Sequence, residues 1–233
     1  MEGVKKIKEL KVVRNEKKYY IDIDKAFRLK NLLPNILKED KFNCNDGYII
    51  RSLYFDTIYN NDFLDKENGL ENRRKIRIRT YNLDTETIKL EIKEKKGDLQ
   101  CKSSLLISKE VGESLIKGKY EVLKEYDNDL AKELYAIMSL ECYRPKCIIE
   151  YKRNAYILLE NNIRITIDEN IRGTEESFDI FSDNLNLNNI LDSTVLEVKY
   201  NNFLFSYIKD LLCLVDSDES AISKYWNCRN TMY

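Results

Sequence analysis

The stretch Arg73-Arg74-Lys75-Ile76-Arg77-Ile78-Arg79 places five cationic side chains among seven residues. Its two isoleucines alternate with lysine and arginine, which is the two-residue period of a β-strand with one apolar and one charged face. The stretch Leu90-Glu91-Ile92-Lys93-Glu94-Lys95 repeats this alternation. These two stretches therefore predict neighbouring strands that share a charged face.

A basic strand face is usually only solvated, so one such strand does not indicate a site. The alternation recurs along most of the chain, however, at Glu16 and Lys18, Glu91 and Lys93, Arg153, Arg164, and Glu197 and Lys199. An open sheet would leave these charges in solvent, whereas about eight strands closed into a barrel would line a lumen wide enough for one small ligand. Such a basic lumen would repel itself unless a polyanion with a divalent cation filled it.

Composition limits the possible function classes. With 43% hydrophobic residues and no linker or repeat in 233 residues, the sequence predicts one domain over residues 1–233. The net charge of −1 favours neither nucleic acid nor an anionic membrane, so anion binding must come from segregated charge. The interleaved aromatics that stack bases are missing from the charged face, so no nucleic-acid partner is expected.

The chain contains no histidine, which excludes histidine acid–base catalysis and most zinc sites. Carboxylate, lysine, arginine, tyrosine and serine remain, a set suited to phosphate and to metals that prefer oxygen ligands. We expect a cytoplasmic protein, because the first ten residues have no apolar core and no apolar run could span a bilayer.

The hydrophobic pattern predicts an α+β fold with about eight mostly antiparallel strands and helices between them. The predicted strands are residues 12–23, 48–56, 72–81, 87–95, 99–105, 147–157, 162–171 and 193–200. The predicted helices are residues 108–118, 127–140 and 203–215, and another that Asp24 caps and that buries Phe27, Leu32, Leu33, Ile36 and Leu37.

Eight motifs resemble, in the same order, the VTC domain, which is the polyphosphate polymerase domain of the vacuolar transporter chaperone. They are Glu16–Tyr19, Ile50–Thr57, Lys75–Arg79, Leu90–Lys93, Glu150–Tyr156, Ile163–Asp168, Val195–Tyr200 and Ser223–Tyr225. The resemblance implies a CYTH-like triphosphate tunnel metalloenzyme: an eight-stranded antiparallel β-barrel with a charged lumen and helices packed outside.

The resemblance also implies a set of site residues. The implied phosphate ligands are Lys18, Arg77, Arg79, Lys93, Arg153, Arg164, Ser223 and Lys224, of which Arg77, Arg79, Lys93 and Lys224 are the predicted catalytic residues. Glu197 is the implied metal ligand, and strand parity adds Lys199 beside it. Glu16 and Glu91 either orient lysines or assist the metal. Tyr54 and Asp56 are interpreted as structural.

The implied activity is transfer of the terminal phosphoryl group of ATP, or another nucleoside triphosphate, to a polyphosphate chain with Mn²⁺ or Mg²⁺. The alternatives are a metal-dependent hydrolase of tripolyphosphate or nucleoside triphosphate, and a non-catalytic polyphosphate-binding module. Ala221 stands where the fungal pattern has another lysine. Because the resemblance does not include the membrane helices of the fungal complex, a separate membrane partner is expected if the product crosses a membrane.

Overall fold

The computed structural model describes residues 15–43, 46–84, 86–97 and 99–232. The strands are β1 (Asn15–Ile21), β2 (Lys38–Glu39), β3 (Tyr48–Thr57), β4 (Arg73–Tyr81), β5 (Ile88–Lys96), β6 (Leu99–Ile107), β7 (Tyr143–Leu158), β8 (Ile163–Thr174), β9 (Asn188–Leu191) and β10 (Thr194–Tyr200). The α-helices are α1 (Ile23–Leu32), α2 (Asn61–Glu67), α3 (Lys109–Ile116), α4 (Asp129–Leu140), α5 (Ser206–Cys213) and α6 (Lys224–Met232). Short 3₁₀ helices cover Leu33–Asn35, Tyr120–Glu125 and Glu160–Asn162. Within the described residues, no helix is both long enough and apolar enough to cross a membrane.

The backbone groups into two compact units. Unit 1 comprises residues 51–148 and 174–186, and unit 2 comprises residues 15–50, 149–173 and 187–232, in both cases as far as the structure describes them. Strands β3 and β7 each contribute residues to both units. The prediction of a single domain stays a prediction.

Unit 1 is built on the strand order β3-β4-β5-β6. The β4–β5 and β5–β6 pairs are antiparallel, as the predicted turns require. The apolar face of these strands is fully buried at Ile76, Ile78, Leu90 and Leu105. Helix α3 contacts β5 and helix α4 contacts β6, so the helices cover the apolar face. The opposite face is left to the charged side chains.

Unit 2 has the strand order β1-β10-β8-β7, with β2 on β7 and β9 on β8. The pairs β1–β10 and β10–β8 are antiparallel. Alternate residues of β8 and β10 join one hydrophobic core with α1 and α5, including Ile163, Ile165, Ile167, Leu196, Val198, Leu29 and Ile208. The predicted amphipathic strands are confirmed here, because the charged residues of β8 and β10 lie on the other face.

The prediction for α1 is wrong in two respects. The N-terminal cap is Asp22, whose Oδ1 accepts a hydrogen bond from Lys25 N–H at 2.7 Å, and Asp24 lies in the first turn. The helix ends at Leu32, before the 3₁₀ turn that contains Pro34, so its buried residues are Ala26 and Leu29 rather than Phe27, which is 64% exposed. Leu32 and Ile36 are also exposed, whereas Leu33 and Leu37 are buried as expected.

Two other boundaries differ from the sequence prediction. Residues 12–14 of the predicted first strand lie outside the described residues, and β1 begins at Asn15. The segment after Ser223 forms α6, to which the sequence analysis had assigned no helix. Its apolar residues do not follow a helical period, so the pattern gave no signal.

Candidate functional site

In unit 1, the charged side chains of β4, β5 and β6 lie in cross-strand rows on one face. Arg77 is opposite Glu91 in the β4–β5 register. Lys75 is opposite Lys93, and Lys93 is opposite Lys102 on β6. Side chains directly opposite in an antiparallel pair share a face, so these rows bring the predicted residues of β4 and β5 together with Lys102.

Three of these cations converge on the carboxylate of Glu91, which is 1% exposed. Arg77 donates from Nε to Glu91 Oε2 at 2.8 Å, and its Nη2 lies 2.7 Å from the same oxygen. Lys102 Nζ lies 2.5 Å from Oε1, and Arg79 Nη1 lies 4.0 Å from Oε2. We call Arg77, Arg79, Glu91 and Lys102 the Glu91 cluster.

The two arginines also bind side chains of β3. Arg77 Nη1 donates to Tyr54 Oη at 2.9 Å, and its guanidinium carbon lies 5.6 Å from the centre of the Tyr54 ring. Arg79 Nε donates to Ser52 Oγ at 3.0 Å. Tyr54 therefore positions a predicted phosphate ligand, which refines its interpretation as a structural residue.

The electrostatics of the Glu91 cluster are dominated by positive charge. Burial alone would raise the pKa of Glu91, but Arg77, Arg79 and Lys102 lower it well below its usual range. The pKa of Lys102 is lowered to about 7, first because its ammonium group is buried, with repulsion from Arg77 and Arg79 added and attraction to Glu91 opposing. The Lys102 side chain as a whole keeps 45% of its surface exposed, so solvent also screens these interactions. Three cations around one carboxylate leave a surplus of positive charge.

In unit 2, the charged face of β1, β10 and β8 carries two mixed rows. Glu16 is opposite Lys199, which is opposite Arg164. In the next row Lys18 is opposite Glu197, which is opposite Thr166. Acidic and basic side chains alternate along β1 and β10, and each acidic residue of these two strands lies opposite a lysine of the other strand.

Glu197 is 7% exposed and has cations on several sides. Its Oε1 lies 3.1 Å from Lys199 Nζ and 3.9 Å from Lys18 Nζ, and its Oε2 lies 3.6 Å from Arg153 Nη2. Burial would raise the pKa of Glu197, but Lys199 and Lys18, a hydrogen bond with Glu16 and the charge of Arg153 lower it well below its usual range. Glu197 is therefore ionised at neutral pH.

Lys18 links this carboxylate to Glu16 and to the segment before α6. Its Nζ lies 2.7 Å from Glu16 Oε1 and donates to the backbone oxygen of Ile222 at 3.1 Å. The backbone of this segment also pairs with β1, because Ser220 N–H donates to the Lys18 oxygen at 2.8 Å. Strand β1 therefore holds the segment of residues 220–222, which leads into α6.

A second buried carboxylate, Asp168, lies on the same strand face as Arg164 and Thr166. Arg153 donates to it with both arms of its guanidinium, Nε to Oδ1 at 2.6 Å and Nη2 to Oδ2 at 2.7 Å. Lys224, the first residue of α6, donates to Oδ2 at 2.6 Å. Burial would raise the pKa of Asp168, but Arg153 and Lys224 lower it. We call Glu16, Lys18, Arg153, Asp168, Glu197, Lys199 and Lys224 the Glu197 cluster.

The remaining predicted ligands lie near these clusters in different settings. Arg164 Nη2 lies 2.7 Å from Asp40 Oδ2 and donates to Tyr48 Oη at 3.2 Å, so its guanidinium is held by that pair. Ser223 Oγ accepts a hydrogen bond from Trp226 N–H at 3.2 Å and caps α6. Lys93 is half-buried in its row on β5.

Sequence reasoning missed Lys102 and the role of Asp168. The register through the predicted turn at residues 97–98 would have placed Lys102 opposite Lys93. Asp168 is four residues after Arg164 on the same strand, so alternation placed both on the charged face. Alternation along one strand does not, however, identify Arg153 on β7 as the partner of Asp168. Asp168 contacts the predicted phosphate ligands Arg153 and Lys224 directly, whereas Lys102 contacts Glu91, which in turn binds Arg77.

A divalent metal is compatible with the acidic residues of unit 2. Among the described residues there is no group of three or more acidic or cysteine side chains that could enclose a metal ion. Mg²⁺ is commonly held by one or two carboxylates together with water and substrate phosphates. Glu16 and Glu197, which both lie within 4 Å of Lys18 Nζ, supply such a pair. The donor set therefore fits a metal that is completed by a phosphate ligand.

Most of the sequence matches the profile of a known family. The profile of the VTC domain matches residues 13–233. The chain belongs to the VTC domain family. No curated protein matches the sequence of this VTC domain.

Solved structures with the same fold are distant in sequence. A Hippeastrum protein described as an adenylyl cyclase with a dominant triphosphatase activity is 14% identical, with 93% of this VTC domain and 95% of that chain covered and a TM-score of 0.56. A Bacillus halodurans protein described as an adenylate cyclase is 12% identical, with 91% and 96% covered and a TM-score of 0.54. The predicted antiparallel triphosphate tunnel fold with helices outside is confirmed by these structures together with the eight main strands and their covering helices.

Proposed function

We propose that this VTC domain is a metal-dependent enzyme that transfers the terminal phosphoryl group of ATP to polyphosphate. The observation that carries the proposal is the Glu91 cluster, in which Arg77, Arg79 and Lys102 surround one buried carboxylate in a member of this family. This surplus of positive charge on a folded strand face favours a polyanionic ligand over a simple solvated surface.

The proposed phosphate ligands extend over both clusters and their neighbours. They are Lys18, Arg77, Arg79, Lys93, Arg153, Arg164, Lys199, Ser223 and Lys224, with Lys102 added from the structure. Arg77, Arg79, Lys93 and Lys224 are the proposed catalytic residues, as the family resemblance implies. Arginine forks match phosphate oxygens in pairs, and lysine supplies a compact charge.

The chemistry requires positioning and charge neutralisation more than covalent catalysis. One P–O bond of ATP breaks, one P–O bond to the end of polyphosphate forms, and ADP leaves. Arg77 is prepared for this role because Glu91 and Tyr54 fix its guanidinium before the substrate arrives. Arg79 is fixed in the same way by Ser52.

Glu197, assisted by Glu16, is proposed to hold Mg²⁺ or Mn²⁺. When bound, the metal would neutralise phosphate charge and help to align the reacting groups. Lys18 and Lys199 contact the same carboxylate and would keep it ionised and oriented.

Hydrolysis of tripolyphosphate or a nucleoside triphosphate is a second candidate, which the triphosphatase activity of the Hippeastrum protein favours. The two reactions differ in whether water or polyphosphate accepts the phosphoryl group. A binding module without turnover is the third possibility from the sequence.

The test is incubation of the purified protein with ATP and Mn²⁺ or Mg²⁺, followed by a polyphosphate-stained gel and assays of ADP and free phosphate. We expect a polyphosphate ladder with ADP, lost in Arg77→Ala and Glu197→Gln. Glu150→Gln is a matched control, because Glu150 is a buried carboxylate of unit 2 that binds Arg172 outside both clusters.

Free phosphate without a ladder would replace the polymerase with the hydrolase. Tripolyphosphate binding without either product would contradict enzymatic activity and support a binding module. Absence of both binding and turnover would overturn the proposal.

A further inference from the structure

The carboxylate of Asp168 in unit 2 is hydrogen-bonded to cations on both of its oxygens. It is 0% exposed, and it accepts three hydrogen bonds from two cations, at 2.6 and 2.7 Å from Arg153 and at 2.6 Å from Lys224. Charge-assisted bonds of this length, with one of the donors bidentate, are the strongest class of side-chain hydrogen bond. Both oxygens are engaged by cations, so a bound metal would have to displace one of them.

The aromatic ring of Tyr151 lies close to both cations, Arg153 and Lys224. The guanidinium carbon of Arg153 lies 5.2 Å from the centre of the Tyr151 ring, and Lys224 Nζ lies 4.8 Å from it. A cation within about 6 Å of a ring centre is attracted by the ring electrons. Asp168 and Tyr151 together therefore restrict Arg153 and Lys224 to one arrangement.

This restraint matters most for Lys224. Lys224 is the first residue of α6, at the start of a helix rather than within the sheet. A lysine stem has four carbons and many rotamers, so an ammonium group at this position needs a partner to keep one position. Asp168 is that partner on β8.

We propose that Asp168 is a positioning residue, which holds Arg153 and Lys224 in the geometry that the transferred phosphoryl group requires. This inference rests on the proposed function. A carboxylate repels phosphate, so Asp168 acts through the two cations instead of touching the substrate. It thereby lowers the affinity for phosphate slightly and raises the rate of transfer.

The alternative is that the Arg153–Asp168–Lys224 group only attaches α6 to the sheet. Replacing a buried ion pair can change stability strongly without any catalytic meaning. A purely structural contact would reduce the fraction of folded enzyme and leave the substrate affinity of the folded fraction unchanged. The two roles therefore differ in how turnover and affinity change together.

The experiment compares wild type, Asp168→Asn, Lys224→Met and the double variant. Calorimetry measures metal-free tripolyphosphate binding, and ADP release from ATP with Mn²⁺ measures turnover. For Asp168→Asn we expect tighter tripolyphosphate binding, and turnover per folded molecule reduced by roughly 10- to 100-fold, because small misplacements of a catalytic group cost rates of this order. Glu150→Gln is the control, with unchanged turnover and binding.

The double variant tests whether Asp168 acts through Lys224. Residues that act together give non-additive losses, so we expect the double variant to lose less turnover than the product of the two single losses. A double loss equal to that product would overturn the positioning role.

A chemical measurement gives an answer that does not depend on turnover. Reductive methylation followed by mass spectrometry should modify Lys224 several-fold more slowly than the exposed Lys209 in wild type, and the difference should shrink in Asp168→Asn. If all lysines react faster in the variant, the change is general unfolding and the positioning role is contradicted.

The results separate this inference from the proposed function. A wild type that neither binds tripolyphosphate nor releases ADP overturns the proposed function, and the inference with it. A wild type that binds and turns over, with Asp168→Asn unchanged in turnover and in Lys224 reactivity, overturns the positioning role alone.

Discussion

The Glu91 cluster and the Glu197 cluster use the same residue types in different proportions. The first sets three cations, Arg77, Arg79 and Lys102, against one carboxylate. The second sets four cations against three carboxylates, in Glu16, Asp168 and Glu197. A count of basic residues alone would rate the second cluster as the more positive of the two, although its three carboxylates leave it the smaller surplus of positive charge. The larger surplus of positive charge suits the first cluster to a polyanion, whereas the second cluster contains the carboxylates that the proposed divalent metal would need.

The largest expected effect separates the two clusters by their metal dependence. Glu197→Gln should reduce metal-dependent turnover by about 100-fold or more, because a bound metal supplies several kcal/mol of charge stabilisation. Metal-free tripolyphosphate binding should persist or tighten, since one negative charge is gone. ADP release over a Mn²⁺ titration, with calorimetry in parallel, checks both expectations. Turnover that stays near the wild-type rate would show that Glu197 is not the metal ligand.

The next effect concerns stability and the surplus charge of unit 1. Glu91→Gln leaves Arg77, Arg79 and Lys102 without their carboxylate, and removing one partner from a buried ion pair costs about 3–5 kcal/mol. Tripolyphosphate should restore much of this loss, because an anion replaces the missing charge and binds only the folded state. Thermal unfolding with and without the ligand measures the rescue. Equal stabilisation of wild type and variant by the ligand would contradict the proposed charge surplus.

A smaller effect distinguishes Lys102 from the arginines beside it. The pKa of Lys102 is about 7, so its ammonium loses charge as the pH rises through that value, whereas arginine stays charged. The quantity of interest is the ratio of the tripolyphosphate affinity of wild type to that of Lys102→Arg. This ratio should be several-fold lower at about pH 9 than at about pH 6. Calorimetry at both pH values, with the same salt concentration, provides the ratio. A constant ratio would show that Lys102 remains charged throughout.

The smallest expected effect lies outside both clusters. Glu150→Gln breaks the 2.8 Å contact with Arg172, whose side chain is 48% exposed. Turnover and tripolyphosphate affinity should change by less than about two-fold, because an ion pair with a half-exposed partner contributes little and neither residue belongs to the Glu91 or the Glu197 cluster. A larger change in the same assays would show that substitution of any buried carboxylate affects turnover. The effects of Glu197→Gln and Glu91→Gln could then not be assigned to their clusters.

Strand parity predicted the faces of both units well. The alternation of Arg77 and Arg79 with Ile76 and Ile78 placed the arginines on the charged face, because burial of the isoleucines allows no other register. The same argument predicted Glu197 and Lys199 on one face of β10. These predictions depend only on residues that are adjacent in the chain, and the alternation of adjacent residues can be read directly from the sequence.

The missed features depend on contacts between distant segments. Lys102 lies on β6, where Ser103 interrupts the apolar alternation, so its face could be read only from pairing with β5. The Asp168–Lys224 contact joins residues 56 positions apart through a helix with no amphipathic pattern. Asp22 replaced Asp24 as the cap of α1 because either aspartate satisfies the cap pattern, and packing of Ala26 and Leu29 selects the start of the helix.

The pairing of β1 with β10, and the bond from Lys18 to Ile222, have a consequence for synthesis of the protein on the ribosome. The Glu197 cluster draws residues from Glu16 to Lys224, so it cannot form until translation has passed Lys224. Unit 1 is complete in sequence by residue 186, and its β4–β5–β6 hairpins pair close neighbours in the chain. Local pairs form faster than distant ones. During translation, the surplus positive charge of unit 1 would therefore be assembled before Glu16, Asp168 and Glu197 reach their partners.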